Sequence, residues 1–387
     1  MFWCYVHVTC QREKTCYVLG FAIFLLLGAP YPMRNIILAS VVGLAVYGCA
    51  SQTVDRLEGN TSLDVDAGSG TPNLGGKQAD AAPIKIEPEL GNTTFYVHTN
   101  TELFEVDPTK PETPMKKLGA FDCVGKGNEA SSITDVAVDK SGRIFLVASP
   151  SAGSGKSLAF LDVKVEDGVV KCAGKGVALN TESVLMGATF APEGTVLPDA
   201  EALVIADKSG DLYEVDTTTA ETTLLGTFGS VPKADAQGNT YASKNVGTRF
   251  VISGDIVFMS GNGKPVGFAT VRDLAKGTGT ANKIDTLVEI DMSKLRPGNT
   301  KSVVKKVTGQ VLKADSCTDT QNSYGALYGI AAFGTQIYGF SHSIAQMVSI
   351  DNSTGAACLV ADESDRTTGG FSGAGVTTSV QVTVPVK

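Results

Sequence analysis

After about residue 92 the chain is written in short runs where apolar and polar residues alternate, and the runs return in a fixed order. Five of them share one phrase: LFEVD at 103–107, LAFLD at 158–162, LYEVD at 212–216, LVEID at 287–291 and MVSID at 347–351. Each opens on an apolar residue, places another next to last and closes on Asp, with Glu before the second apolar residue in three copies. Alternation of this kind, bounded by Gly, Asn, Asp and Ser, predicts half-buried β-strands. The closing Asp residues (107, 162, 216, 291, 351) lie 55, 54, 75 and 60 positions apart, so the strand belongs to a repeating unit.

The neighbours of the phrase define that unit. Two runs precede four of its copies: ITDVAVD and RIFLVAS, VLMGATF and ALVIAD, RFVISG and DIVFMSG, YGIAAFG and QIYGFSH. One run follows each copy: MKKLGAF, VVKCAGKG, TTLLGTF, VVKKVTG and AACLVAD. The unit is therefore four strands, A to D, with the phrase as strand C, and four complete units fill residues 133–362. At the N-terminal end TTFYVHT, LFEVD and KKLGAF read as B, C and D without an A; at the other end GFSGAGVTT reads as an A without partners. Joined, these pieces complete a fifth unit and hide two open sheet edges. The expected fold is all-β: one propeller over residues 84–387, with five four-stranded blades and one blade closed by both chain ends. The run VQVTV at 380–384 keeps six or seven blades open, and a β-sandwich is the other arrangement of such strands. The units resemble the degenerate LYxVD-type repeats of secreted bacterial β-propellers over residues 92–386, a resemblance that implies the fold and carries no function of its own.

The register also sorts the cysteines. Cys123 precedes strand A of its unit and Cys172 lies in strand D of the same unit; Cys317 and Cys358 hold the same places three units later. Four cysteines allow three pairings, and the repeat singles out Cys123 with Cys172 and Cys317 with Cys358.

Composition agrees with a turn-rich β-protein: 43 Gly and 19% charged residues among 387. The net charge of -8 offers no general electrostatic footprint for nucleic acid.

The first 48 residues carry an address. Apolar stretches at 17–29 and 36–48 are each shorter than the ~20 residues that span a bilayer. Met33, Arg34 and Asn35 give the second a short basic start, the pattern of a signal peptide; the first 32 residues then read as an upstream extension, and a helical hairpin anchor built from both stretches is the other reading. The second stretch ends Val46, Tyr47, Gly48, Cys49, which resembles the lipobox of bacterial lipoproteins. That resemblance implies a signal peptide at 33–48, a lipidated Cys49 as the new N-terminus, and anchorage to a membrane; Ala50 and Ser51 after the Cys imply the outer membrane. Tyr47 departs from the small residue usual at its place, and secretion after simple cleavage is the alternative. Residues 51–83, rich in Gly, Ser, Asp and Ala without apolar periodicity, read as a flexible tether.

The chain is poor in catalytic constellations. SAGSGKS at 151–157 ends like a phosphate loop, but Pro150 stands at the first-Gly place and a strand follows, so it reads as a turn. His98 and His342, the two histidines past Cys49, fall just beyond strand B cores at equivalent places, and no metal-ligand spacing surrounds them; no metal and no cofactor are expected. The repeated Asp residues read as turn acceptors. Five-bladed glycosidases place acids on inner strands around the channel; here Asp135 is the one clear inner-strand acid, with Gly187, a residue near Phe250, Gly329 and Gly373 at the matching places, and a lone acid does not supply the pair that glycoside hydrolysis needs.

Loop length points elsewhere. The third unit is enlarged at 228–247 (D to A) and 261–283 (B to C), connections that share one propeller face, as does the 311–324 loop. Asp135, Lys244, Arg249, Tyr324 and Tyr328 are expected to border the channel mouth there. Long loops on a rigid scaffold are where binding resides. The expected role is a binding scaffold for a protein or surface glycan, held at the cell envelope, with no catalytic residues; a propeller-fold glycan hydrolase or lyase, or a structural envelope-assembly protein, are the alternatives.

Overall fold

The computed structural model describes residues 7–10, 16–19 and 95–378, apart from 111–114, 152–155, 182, 262–263, 275–283, 320–321, 334–335, 366 and 368. The chain divides into two compact units, Met1–Leu57 and Glu58–Lys387. In the first, the described residues form an antiparallel hairpin of His7–Cys10 with Cys16–Leu19. Cys49, the tether at 51–83 and the run VQVTV lie outside the described residues.

The second unit is the propeller. Blade 1 is Ala130–Val138, Ile144–Pro150, Leu158–Glu166 and Val169–Cys172, in the order A to D. Blade 2 is Leu185–Ala191, Ala202–Asp207, Asp211–Val215 and Thr222–Thr227. Blade 3 is Phe250–Gly261, Lys264–Asp273, Thr286–Ile290 and Val304–Gln310. Blade 4 is Leu327–Phe333, Gln336–Ser341, Gln346–Ile350 and Ala357–Asp362. The closing blade takes its inner strand, Gly373–Gly375, from one end of the chain and Phe95–His98, Glu102–Val106 and Met115–Phe121 from the other. The joining register is Gly373 opposite His98 and Gly375 opposite Tyr96, so the closure expected from the leftover runs is present. Each inner strand touches the next and the last returns to the first, which closes the ring at five. Strand D of the closing blade also meets strand D of blade 1 in parallel, through Ala120 with Val169 and Phe121 with Val170.

Both expected disulfides form, Cys123–Cys172 and Cys317–Cys358. Each fastens the connection entering a blade to that blade's own outer strand. Aromatic rings fill the gaps between sheets: Phe145 of blade 1 meets Phe190 of blade 2 edge-on at 5.0 Å, and Phe95 of the closing blade meets Phe340 of blade 4 at 5.6 Å.

Two expectations need correction. RFVISG and DIVFMSG are one strand: Phe250–Gly261 runs through both with an irregularity between Ile252 and Ile256, and strand B of blade 3 is Lys264–Asp273. The B-to-C insertion is therefore residues 274–285 rather than 261–283. Secondly, the closing Asp is a turn acceptor in four copies but not in the fifth. Asp107, Asp216, Asp291 and Asp351 each accept from the backbone N–H two residues on. Asp162 sits inside strand C of blade 1, which continues to Glu166 and turns at Asp167–Gly168, both at positive φ (52° and 75°). Asp-Gly in that conformation is the two-residue hairpin turn.

Candidate functional site

The inner strands share a sequence position that the ladder aligns: Asp135, Gly187, Gly254, Gly329 and Gly373. In four blades a ladder irregularity falls at this level, between Ile133 and Asp135, Leu185 and Gly187, Ile252 and Ile256, and Leu327 and Gly329. Two of the glycines show why no side chain fits there. A Cβ on Gly254 would collide with the carbonyl oxygen of Leu327 in the next blade, and one on Gly373 would collide with the Asp135 carboxylate and the His98 ring. The matching place in blade 3 is thus Gly254, in the strand that opens at Phe250, and not Phe250 itself.

Blade 1 places Asp135 at this level, and blade 3 supplies a second acid one residue further on, Asp255. Both have no exposed surface. The two carboxyl groups lie close enough to shift each other's titration, and all four of their oxygens accept from backbone N–H groups. Asp135 accepts from Val136 N at 2.8 Å and from Ala188 N of blade 2. Asp255 accepts from Ile256 N at 2.6 Å and from Ile330 N of blade 4 at 3.4 Å, and the Ala374 N–H of the closing blade lies near enough to lower its titration. Two side chains thereby reach the inner strands of all five blades. Burial raises both carboxyls well above the usual carboxylate range, and for Asp135 the charge of Asp255 adds to it. Two buried acids in contact do not ionise together, so the pair holds one proton between them.

His98 completes the cluster. Its Nδ1 lies 2.8 Å from Thr99 O, and a carbonyl can only accept, so Nδ1 carries the proton. Nε2 is then a bare acceptor, without a hydrogen-bond partner, 3.7 Å from Asp135 Oδ1. Burial pushes the imidazole down to about 4, which keeps it neutral. The two histidines share a distance from their phrases but not a register: His98 pairs in the ladder with Leu103 and Gly373, whereas His342 lies past strand B and stacks on Tyr328, ring centroids 4.3 Å apart.

A second polar tie joins blades 3 and 4. Asp285, with no exposed side-chain surface, accepts from Arg272 Nε at 2.6 Å, from Leu327 N at 2.6 Å and from the Ser253 hydroxyl. Burial raises its carboxyl while Arg272 pulls the other way. Ser157 does the equivalent work between blades 1 and 2 by accepting from Leu185 N at 3.0 Å.

The five residues expected at the channel mouth separate into two groups. Asp135 and Tyr324 are buried; the Tyr324 hydroxyl lies 2.9 Å from Asp319 and 3.2 Å from Ala357 O, a core tyrosine rather than a rim one. Lys244 is exposed, Tyr328 is partly exposed, and Arg249 is half-buried with its guanidinium on Asp211 of blade 2. No hydrogen bond or ion pair among the described residues links the five to one another. Asp255 and Asp285 have no counterpart among them. The signal for Asp255 is the Gly-Asp step, which marks the shared inner-strand position once RFVISGDIVFMSG is read as one strand.

Chemically, the hub suits holding rather than turnover. Glycosidase carboxyls stand about 5–5.5 Å apart in retaining enzymes and about 6.5–9.5 Å in inverting ones, with room for a sugar or a water between them. Neither Asp135 nor Asp255 has exposed surface at which a sugar could be met. The one group of His, Cys, Asp and Glu within ligating distance among the described residues is Asp122, Cys123 and Cys172, where both sulfurs are in a disulfide.

No protein-family model and no curated protein matches the chain. Among solved structures it is similar to a protein of unknown function from Bacteroides caccae, at 11% identity and TM-score 0.35, covering 73% of this chain and 97% of that one. It is similar also to an endo-arabinase from Bacteroides thetaiotaomicron, at 10% identity and TM-score 0.34 over 70% of this chain and 89% of that one. The Dos1 propeller matches at 14% identity and TM-score 0.27, covering 67% of this chain and 56% of the other. Likeness at this level carries no argument about this chain.

Proposed function

We propose that the chain is an extracytoplasmic lipoprotein of the outer membrane, anchored through lipidated Cys49 and a tether at 51–83, whose propeller is a binding scaffold for a protein or surface glycan. The observation that carries this reading is the burial of the hub pair. Asp135 and Asp255 are engaged with each other and with five inner strands, so the accessible chemistry lies in the loops. One face offers it: the 228–249 D-to-A insertion with exposed Lys244, and partly exposed Tyr328 at the start of the inner strand of blade 4 on its His342 stack. Two disulfides suit an oxidising compartment.

Two measurements test the reading. Labelling with a fatty-acid analogue followed by fractionation is expected to place the full chain in the membrane fraction and Cys49→Ala in the soluble one. Crosslinking on envelope preparations is expected to yield a defined adduct that Lys244→Glu with Tyr328→Ala abolishes; Lys244→Glu alone keeps the melting temperature within about 1 °C, since its side chain is exposed. A Cys49→Ala chain that stays on the membrane removes the anchor from this account. An adduct indifferent to both changes removes the binding face.

A further inference from the structure

The two insertions of blade 3 meet at a point where acceptors outnumber donors. The D-to-A insertion ends in tight turns, with Asn245 N donating to Ala242 O at 2.7 Å and Thr248 N to Asn245 O at 3.0 Å. The Thr248 hydroxyl lies 2.6 Å from Asn245 O and 3.0 Å from Leu274 O, the first residue of the B-to-C insertion. One hydroxyl carries one proton, so only one of those carbonyls receives it. Alongside, the Asn245 side-chain amide donates to Asp273 Oδ2 at 2.5 Å.

That leaves Asn245 Oδ1 and Asp273 Oδ1, both enclosed and both without a hydrogen-bond partner. Asn245 is 5% exposed and Asp273 1%. No cation compensates the carboxylate among the described residues: neighbouring Arg272 is committed to Asp285 and Arg249 to Asp211. A buried carboxylate with a bare oxygen beside a bare amide oxygen costs several kcal/mol unless a proton donor or a cation meets it.

We propose that this junction is a calcium site, in which Asp273 Oδ1, Asn245 Oδ1 and the Leu274 carbonyl supply oxygens to the ion and water completes its shell. The donor set is all oxygen, which selects a hard cation, and a mixed set of one carboxylate, one amide and one backbone carbonyl suits the irregular coordination of calcium better than the strict octahedron of magnesium. One carboxylate makes a weak site, in the range of about 10⁻⁴–10⁻³ M found in extracellular modules. Binding would fasten the two insertions of blade 3 to each other.

Calcium titration of the metal-stripped full chain tests it, by calorimetry and by thermal unfolding. The wild type is expected to bind one ion saturably in that range and to melt about 2–3 °C higher at tenfold excess over the dissociation constant. Asp273→Asn keeps the shape, removes the charge and turns a donor toward Asn245. It is expected to lose calcium binding and the shift, yet to melt in chelator no lower than the wild type does. A wild type that ignores calcium up to 10-fold above that range overturns the site, as does an Asp273→Asn chain that responds like the wild type.

Discussion

His98 and the two hub acids respond to pH in opposite senses. The folded imidazole titrates at about 4 and the unfolded one near 6.5, so the unfolded chain takes up a proton first. Stability from this group is therefore full above about 6.5 and is lost as pH falls toward 4, by roughly 3 kcal/mol over the whole interval. The acid pair is raised, so the folded chain keeps a proton that the unfolded chain releases above about 4, and this contribution declines as pH climbs toward the pair's own titration. His98→Gln removes the acid-side loss alone. Denaturant unfolding at pH 5 and pH 7 is expected to show the variant retaining about 2 kcal/mol more of its pH 7 stability than the wild type does. Equal losses in the two chains would mean that His98 is not held neutral. At this scale the chain displays Asp135 openly, as an acid inside an apolar inner strand. It conceals Asp255 because Ser-Gly-Asp between two apolar runs looks like a turn. Only three-dimensional proximity turns that step into the hub.

The inner strand of blade 3 shows how an element can mislead. Glycine inside a strand usually weakens it and marks a bulge or a close backbone approach, and Gly254 is the second kind: the backbone of Leu327 and Tyr328 occupies the space a Cβ would need. Gly254→Ala is expected to lower stability by several kcal/mol through that overlap, whereas Gly238→Ala, in an open turn with nothing nearby, should cost only the strain of its positive φ of 83°. Thermal unfolding of the two variants side by side checks this, and equal melting temperatures would contradict the close inner ring. The phrase that ends strand C was readable as an element because four of its five Asp residues perform one local task. Asp162 escapes the rule because the Asp-Gly turn that ends its strand stands five residues later.

Across the whole molecule the repeat is a scaffold and its interruptions are where chemistry can be reached. Closure by both chain ends and the two cysteine pairs follow from the order of short apolar runs, since each run has one place left in the ring. Which acids touch, and which loops meet, depends on the inward turn of each blade and is not written in one dimension. On this account Asp135 and Asp255 tie the blades together at the hub. The most direct test compares Asp135→Ala with Asp135→Asn in thermal unfolding. Asparagine keeps an acceptor for Ala188 N and a donor for Asp255, mimicking the protonated acid, so it should melt within a few degrees of the wild type. Alanine leaves the buried Ala188 N–H without an acceptor and takes from Asp255 its carboxyl neighbour, which should cost about 3 kcal/mol or more. If alanine melts as asparagine and the wild type do, the carboxyl pair does not hold the hub together, and its burial has another purpose.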